Sequence, residues 1–191
     1  TGTPMIRIGV DVGGTFTDIL LEQTLGGDRQ KVVVTKVSST PHDQSEAVVQ
    51  GIVVKGFGIG VSFADGAAGN RLGSDGDGFN DAAECNVITG NRETQVQIAG
   101  EGASGNWITG NFIGVDSNGV AGSTVNRGIG IAIVDRASRN TIGMRRRGDQ
   151  TLEGLGNRIQ GRHFVGILVL NEGTADNQIS GNLIGAGARE N

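Results

Sequence analysis

Apolar residues recur in short alternating runs over residues 68–187. In Asn-Val-Ile-Thr-Gly-Asn from Asn86 and Asn-Trp-Ile-Thr-Gly-Asn from Asn106, one isoleucine stands between two polar or variable positions. Such alternation predicts a short strand whose isoleucine faces a core, because successive side chains of a strand point to opposite faces. Six runs of the form Asn-x-apolar share the pattern, and they begin at Asn70, Asn86, Asn106, Asn140, Asn157 and Asn177.

Two further sets of short strands are predicted between these runs. Apolar residues alternate at Val96 and Ile98 and in two later segments, and Phe-Ile-Gly at 112–114 is matched by Leu-Ile-Gly at 183–185. Three short strands in each coil of roughly 20 residues predict a mainly β fold, a right-handed parallel β-helix in which stacked coils bury one core. Asparagines at equivalent corners are expected to form a side-chain amide ladder. An antiparallel β-sandwich is the alternative fold.

The composition fits a glycine-rich β protein and excludes several other classes. There are 35 glycines and 2 prolines in 191 residues, and the glycines do not recur at every third position as collagen requires. A net charge of −4 provides no basic field, so no nucleic-acid partner is expected. No apolar run reaches the roughly 20 residues that span a bilayer, so no membrane span is expected.

The first third of the chain has a different pattern, which predicts a small α+β unit over residues 5–56. The segment 38–56 is predicted to be a helix, because Thr40 suits the N-cap and Pro41 suits the first helical position. The remaining residues, 57–191, are assigned to the β-helix. Three strands precede the predicted helix, at residues 6–10, 18–22 and 31–37.

The turn between the first two predicted strands has the residue types of a phosphate site. Two glycines allow close approach of the backbone and can form an anion-binding nest, and two threonines add hydroxyl donors. Two aspartates supply the ligands that a hydrated Mg²⁺ prefers. A tight hairpin with an ordinary glycine turn is the alternative. The candidate residues are Asp11, Gly13, Gly14, Thr15, Thr17 and Asp18.

The stretch Ile-Gly-Val-Asp-Val-Gly-Gly-Thr-Phe-Thr-Asp-Ile, followed by Lys-Val-Ser-Ser-Thr-Pro, resembles the N-terminal region of the hydantoinase A/5-oxoprolinase family over residues 6–54. That family belongs to the actin–hexokinase ATPase superfamily, in which the first hairpin embraces the phosphates of ATP. The resemblance implies that the six candidate residues contact Mg-ATP. Nothing after residue 56 resembles a second phosphate loop or an adenosine pocket, so ATP-dependent hydrolysis would need further segments or a partner subunit.

Residues 68–187 resemble the Gly-Asn-x-Ile-x-Gly-Asn class of parallel β-helix repeats found in large bacterial surface and secreted proteins. This resemblance implies an extracellular or cell-surface location, whereas the N-terminal resemblance implies a cytoplasmic one, so the compartment stays open. A junction of two unrelated gene fragments, natural or artificial, would reconcile the two parts.

An acidic segment at residues 73–84 is similar in spacing to a twelve-residue calcium loop. Four acidic side chains and one carbonyl fall at ligand positions, but Gly73 stands where the first aspartate is expected. Because the number of ligand charges tunes affinity, any Ca²⁺ binding is expected to be weak. A hydrated acidic turn between coils is the alternative. The candidate ligands are Asp75, Asp77, Phe79, Asp81 and Glu84.

The favoured interpretation is a non-catalytic β-helix scaffold, or a surface module that contacts a glycan, joined to a truncated ATPase-type segment. The first alternative is a fragment of an ATP-dependent hydantoinase- or oxoprolinase-type amide-ring hydrolase. The second is a β-helix polysaccharide lyase or hydrolase that uses Arg158, Arg162 and Glu172 on one face. Trp107, outward by the alternation, is expected either to stack on a sugar ring or to lie beneath a loop.

Overall fold

A computed structural model describes most of the chain, and it describes side chains from Gly51 onward. The chain divides into two compact units, residues 1–46 and 47–191, and each is described by itself. The described residues are 6–12, 16–25, 29–38, 48–49, 51–64, 66–120, 128–146, 148–149, 151–160 and 165–185.

The first unit contains an antiparallel three-stranded sheet in the order β1-β2-β3, formed by β1 (Ile6–Val12), β2 (Phe16–Leu25) and β3 (Arg29–Ser38). The three predicted strands are therefore confirmed, and each is longer than predicted. Asp11 lies opposite Asp18 in the pairing of β1 with β2.

The second unit is a solenoid of stacked coils. The first coil contains β4 (Val48–Val49), β5 (Val53–Val54) and β6 (Ile59–Ala64), and the second contains β7 (Arg71–Gly73), the single-turn helix α1 (Asp81–Glu84), β8 (Val87–Ile88) and β9 (Thr94–Ala99). The third coil contains β10 (Trp107–Thr109), β11 (Phe112–Ile113) and β12 (Ile129–Val134). The fourth contains β13 (Thr141–Gly143), β14 (Arg145–Arg146), β15 (Leu152–Glu153), β16 (Arg158–Ile159) and β17 (Val165–Val169), and the fifth contains β18 (Gln178–Ser180) and β19 (Leu183–Ile184).

Equivalent strands of successive coils pair in parallel and form three sheets along the solenoid. Sheet 1 has the order β4-β7-β10-β13-β18, sheet 2 the order β5-β8-β11-β16-β19, and sheet 3 the order β6-β9-β12-β17. All pairs within these three sheets are parallel. The predicted parallel β-helix is confirmed as a β-solenoid, and the sandwich alternative is excluded for this unit.

The helix predicted over 38–56 is wrong where the structure describes it. Val48–Val49 and Val53–Val54 are strands that pair with β7 and β8, so the first coil begins before the predicted boundary at residue 57. Pairing along the solenoid overrides the local helix signals here, and valine suits a strand because of its β-branched side chain. Residues 39–47 and 50 of the predicted helix lie outside the described residues.

The core of the solenoid consists of apolar columns that run from coil to coil. In sheet 1, Ile108 lies between Leu72 and Ile142, and all three are fully buried. Each coil is too small to bury its own apolar face, so the stacking of coils supplies the hydrophobic stabilisation. The corresponding buried residues are Ile88, Ile113 and Ile159 in sheet 2 and Val96, Ile98, Ile131 and Ile133 in sheet 3.

The expected asparagine ladder is present, and the structure contains two such ladders, one at the corner before sheet 1 and one at the corner before sheet 2. The six Asn-x-apolar runs do not repeat at one corner: four begin strands of sheet 1, and the runs from Asn86 and Asn157 begin strands of sheet 2. One coil therefore takes 34 to 37 residues along the sheet 1 corner, about twice the predicted length. The sheet 1 ladder consists of Asn70, Asn106, Asn140 and Asn177, and the sheet 2 ladder of Asn86, Asn111, Asn157 and Asn182.

Each ladder has a direction. The backbone N–H and the Nδ2 group of Asn70 both donate to Oδ1 of Asn106, at 3.1 and 2.8 Å, and Asn106 donates in the same way to Asn140. The Nδ2 group of Asn106 also donates to the carbonyl of Ala67. These bonds satisfy fully buried amides, which would otherwise destabilise the fold.

Candidate functional site

The acidic loop, residues 74–80, connects β7 to α1 and brings three of the predicted calcium ligands together. Carboxylate oxygens of Asp75, Asp77 and Asp81 all lie within 4.8 Å of one another. Asp77 is exposed, and the other two are half-buried. Three carboxylates this close repel one another, and a bound cation would relieve that repulsion.

Backbone amides of the same loop fix these carboxylates. Asp75 accepts a bond from the N–H of Asp77 at 3.1 Å, and Asp77 accepts one from the N–H of Phe79 at 2.7 Å. Asp81 accepts a bond from the N–H of Gly78 at 3.0 Å and another from the hydroxyl of Ser74 at 2.5 Å. The loop is therefore ordered by its own hydrogen bonds, as in turns closed by aspartate side chains.

A buried arginine partly neutralises the cluster. Arg71 is 5% exposed, and its guanidinium lies 3.3 Å from the Asp75 carboxylate. A partly buried ion pair is screened less by salt than an exposed one, so part of the Asp75 charge is already compensated within the protein. Asp77 and Asp81 carry most of the charge available to an external cation.

Glu84, the fourth predicted carboxylate, is not one of the three grouped side chains, and Phe79 is predicted to bind through its carbonyl. Oε2 of Glu84 accepts the N–H of Asp75 at 3.3 Å, and Phe79 contributes an exposed side chain and an N–H bonded to Asp77. Burial, followed by the negative charge of Asp75, raises the pKa of the Glu84 carboxyl. Glu84 therefore binds the backbone of the acidic loop at Asp75.

The vacant first position of the calcium pattern has a structural cause. Gly73 ends β7 with φ +104°, and a β-carbon there would lie 1.9 Å from the carbonyl oxygen of Thr109 in the next coil. A carboxylate side chain has no room at this position. Stacking of coils thus excludes the first ligand, and the spacing of acidic residues alone does not show this.

A second candidate is a groove formed by stacked turns after sheet 3. It is an open groove of about 580 Å³, and it takes its polar lining from three successive coils. Arg136 lies in the middle, and its guanidinium bonds to the Glu101 carboxylate at 3.2 Å. Both side chains are largely exposed, so the pair itself adds little stability. The polar side chains that line the groove are Glu101, Ser104, Arg136, Ser138, Arg139 and Glu172.

Trp107 is not available to a sugar. It is 3% exposed, its indole N–H donates to the carbonyl of Gly143 at 2.7 Å, and the Arg145 guanidinium lies 4.0 Å from the ring centroid. The hairpin β14–β15 supplies Arg145 and the closely packed Gly154. Of the two expectations for this residue, the covering loop is confirmed.

The residues named for a lyase or hydrolase are separated. Glu172 lines the groove after sheet 3, whereas Arg158 belongs to β16 in sheet 2, where its Nε donates to Gln160 at 3.0 Å. Arg162 lies outside the described residues. In the groove, Glu172 shares the lining with Arg136 and Arg139.

The candidate phosphate residues are described in part. The backbone pairing sets Asp11 opposite Asp18 and Val12 opposite Thr17, on the two arms of the hairpin that the nucleotide interpretation requires. Gly13, Gly14 and Thr15, which form the turn itself, lie outside the described residues.

Comparison with known protein families finds a match that includes this hairpin. Residues 7–56 match the hydantoinase/oxoprolinase N-terminal region. The predicted resemblance is confirmed over that span, and the hydantoinase-like region includes β1 to β5. No curated protein and no solved structure matches the chain. Within the described residues, no helix has the length and apolar character needed to cross a membrane.

Proposed function

We propose that the solenoid is a non-catalytic scaffold that contacts a glycan through the groove after sheet 3. The observation that supports this is the alignment of Glu101, Arg136 and Glu172 on successive coils beside serine hydroxyls. Carboxylates, guanidinium groups and hydroxyls at a regular spacing suit the repeated hydroxyl groups of an extended polysaccharide. The parallel coils hold these side chains on a rigid frame, which lowers the entropic cost of binding.

Affinity electrophoresis in gels that contain dextran, galactomannan or polygalacturonate tests the scaffold proposal. We expect at least one polysaccharide to retard the chain, and we expect Arg136→Ala with Glu172→Gln to lower the apparent affinity about tenfold. Arg92→Ala, an exposed arginine outside the groove, is the matched control. Equal retardation of groove and control variants would contradict the proposal, and depolymerisation of the polysaccharide would favour the lyase or hydrolase alternative.

The acidic loop supports a second candidate function, weak Ca²⁺ binding. Asp75, Asp77 and Asp81 would supply the carboxylate ligands and Phe79 its carbonyl, and Glu84 would need to turn toward the ion to complete the predicted set. With Asp75 paired to Arg71, we expect a dissociation constant in the range of roughly 10⁻⁴ to 10⁻³ M, typical of weak extracellular sites.

Calorimetric titration with CaCl₂ checks this expectation. Asp77→Asn and Asp81→Asn should each abolish the saturable heat, because each removes a carboxylate ligand. Asp116→Asn is the matched control, since Asp116 closes a similar turn by accepting the N–H groups of Asn118 and Val120. Undiminished binding in the Asp77 variant would contradict the assignment.

The match to the hydantoinase/oxoprolinase N-terminal region favours one alternative, a nucleotide-binding fragment of an ATP-dependent amide-ring hydrolase. In this alternative the candidate phosphate residues hold Mg-ATP, and missing segments or a partner subunit complete the active site. Calorimetric titration of the chain with Mg-ATP, repeated with Asp11→Ala and with Glu22→Ala as control, tests it. Saturable heat that Asp11→Ala alone abolishes would support the alternative, and no heat at high micromolar ATP would contradict it.

A further inference from the structure

The third coil carries two arginines on the turn that follows sheet 3, and both line the groove there. Arg136 and Arg139 have exposed side chains. Their turn lies between the turns of the second and fourth coils, because β12 pairs with β9 on one side and with β17 on the other. The two guanidinium groups therefore belong to the outer face of the solenoid and not to one of its ends.

Both arginines have a left-handed backbone, which is costly for residues other than glycine. The residue before each asparagine of the sheet 1 ladder has a positive φ, with values of +70° at Gly69, +67° at Gly105, +56° at Arg139 and +58° at Asp176. Glycine occupies this position in the first two coils, and arginine replaces it in the third. Arg136 has φ +72° on the same turn. Backbone strain of this kind clusters at functional sites, and a binding role for the two arginines would account for it.

The fourth coil fixes the backbone of this turn. The N–H of Arg136 donates to the hydroxyl of Thr174 at 3.1 Å, and the N–H of Arg139 donates to the carbonyl of Ala175 at 3.1 Å. Gly173 leaves room for the Arg136 side chain, since a β-carbon on Gly173 would lie 2.9 Å from Cγ of Arg136. The backbone of both arginines is thus in place before a ligand arrives, which lowers the entropic cost of binding.

The two guanidinium groups differ in their partners. The Arg136 group bonds to the carboxylate of Glu101, in an exposed pair of the kind that adds little stability. Within the described residues, the Arg139 group forms no hydrogen bond and no ion pair. A guanidinium group donates hydrogen bonds and accepts none, and its planar fork matches the paired oxygens of a carboxylate or of a phosphate-like oxyanion such as sulfate. Arg139 is therefore open to an anionic group.

We propose that Arg136 and Arg139 bind an anionic group of the glycan, a carboxylate or a sulfate ester, so that the groove selects acidic glycans over neutral ones. This inference rests on the proposed glycan contact of the groove and adds the class of ligand. Glu172 lines the same groove and would accept sugar hydroxyl groups, and its charge would repel a second anion nearby. The ligand that fits is a glycan whose acidic groups are spaced apart by neutral sugars.

Affinity electrophoresis in dextran, lightly substituted carboxymethyl dextran and lightly substituted dextran sulfate tests this selection, because the three polymers share one backbone and differ in charge. The net charge of −4 gives the chain no general attraction to polyanions. We expect at least one acidic polymer to bind with about tenfold higher apparent affinity than dextran, since hydrogen bonds to charged groups are the stronger ones. The two acidic polymers distinguish a carboxylate ligand from a sulfate ligand.

Arg139→Gly is the variant that decides the role of the arginine. We expect it to remove the preference for the acidic polymer without lowering the urea midpoint of unfolding, because glycine suits the left-handed backbone. Arg92→Ala removes the same charge outside the groove and should keep the preference. Asp176→Gly makes the same backbone change one coil later, away from the groove lining, and should also keep it.

The outcomes distinguish this inference from the proposed function. Equal retardation by all three polymers would overturn the selection of anions and leave the glycan contact standing, whereas no retardation by these polymers, galactomannan or polygalacturonate would overturn both. Loss of the preference in Arg92→Ala would assign it to net charge, and a lower urea midpoint for Arg139→Gly would assign the arginine a structural role; either would overturn the inference. Loss of the preference in Arg139→Gly alone, at an undiminished midpoint, supports it.

Discussion

Replacing Gly73 by alanine is expected to lower the free energy of unfolding of the solenoid by at least about 3 kcal/mol, because clash and backbone strain add at one residue. A β-carbon at Gly73 would lie 1.9 Å from the carbonyl oxygen of Thr109 and 2.7 Å from Oδ1 of Asn111. Both atoms belong to the adjoining coil and take part in its hydrogen bonds, so neither moves without loss of pairing.

Gly56→Ala separates the two contributions in this experiment. Gly56 also has a positive φ, +88°, but a β-carbon there meets nothing within 4 Å, so only the cost of the left-handed backbone, about 1 kcal/mol, is expected. Urea unfolding followed by the fluorescence of Trp107, the single tryptophan of the chain, measures both variants. Equal losses would mean that the coils shift apart freely, contrary to the close stacking described.

Replacing Asn111 by alanine is expected to cost about 3 to 5 kcal/mol, since it leaves several buried polar groups without partners at about 1 to 3 kcal/mol each. Oδ1 of Asn111 accepts two bonds from Asn86, and its Nδ2 group donates to Leu72, Thr109 and Asn157. The side chain is 1% exposed, so water does not replace these bonds.

Two further variants bracket the Asn111 result. Asn118→Ala changes an exposed turn residue and should alter stability by less than about 0.5 kcal/mol. Asn182→Ala removes a half-buried member of the same ladder at its end, so an intermediate loss is expected. A cost for Asn111→Ala as small as that for Asn118→Ala would show that the ladder adds little to the stacking of the apolar columns.

Much of the solenoid is predictable because one structural demand repeats. Each coil needs an isoleucine that faces the core and an asparagine that forms the ladder hydrogen bonds at the corner, so both residues recur in the sequence. The sequence predicts coils of about half the observed length, because the corners of sheets 1 and 2 use the same Asn-x-Ile pattern. Only the pairing of Ile108 with Ile142, and of Ile113 with Ile159, assigns these strands to separate sheets.

Other features depend on contacts between residues far apart in the chain, and no local pattern reports them. The strands at Val48–Val49 and Val53–Val54 form on β7 and β8, although the segment before them has the residues of a helix start. Trp107 is covered because the hairpin β14–β15 comes from the following coil. In the acidic loop, the spacing predicts four carboxylate ligands and one carbonyl, but the position of Glu84 leaves three carboxylates together.

The long connections of the second and fourth coils leave the solenoid at the same edge and meet there. The carbonyl of Leu155 accepts the N–H of Gly110 from the short turn of the third coil, and a β-carbon on Gly76 would lie 2.6 Å from the α-carbon of Gly154. Residues of two distant stretches of sequence are therefore mutually constrained. The long connections can change in length only in the parts that point away from the solenoid. Where the two connections touch, a substitution in one should be accompanied during evolution by a substitution in the other.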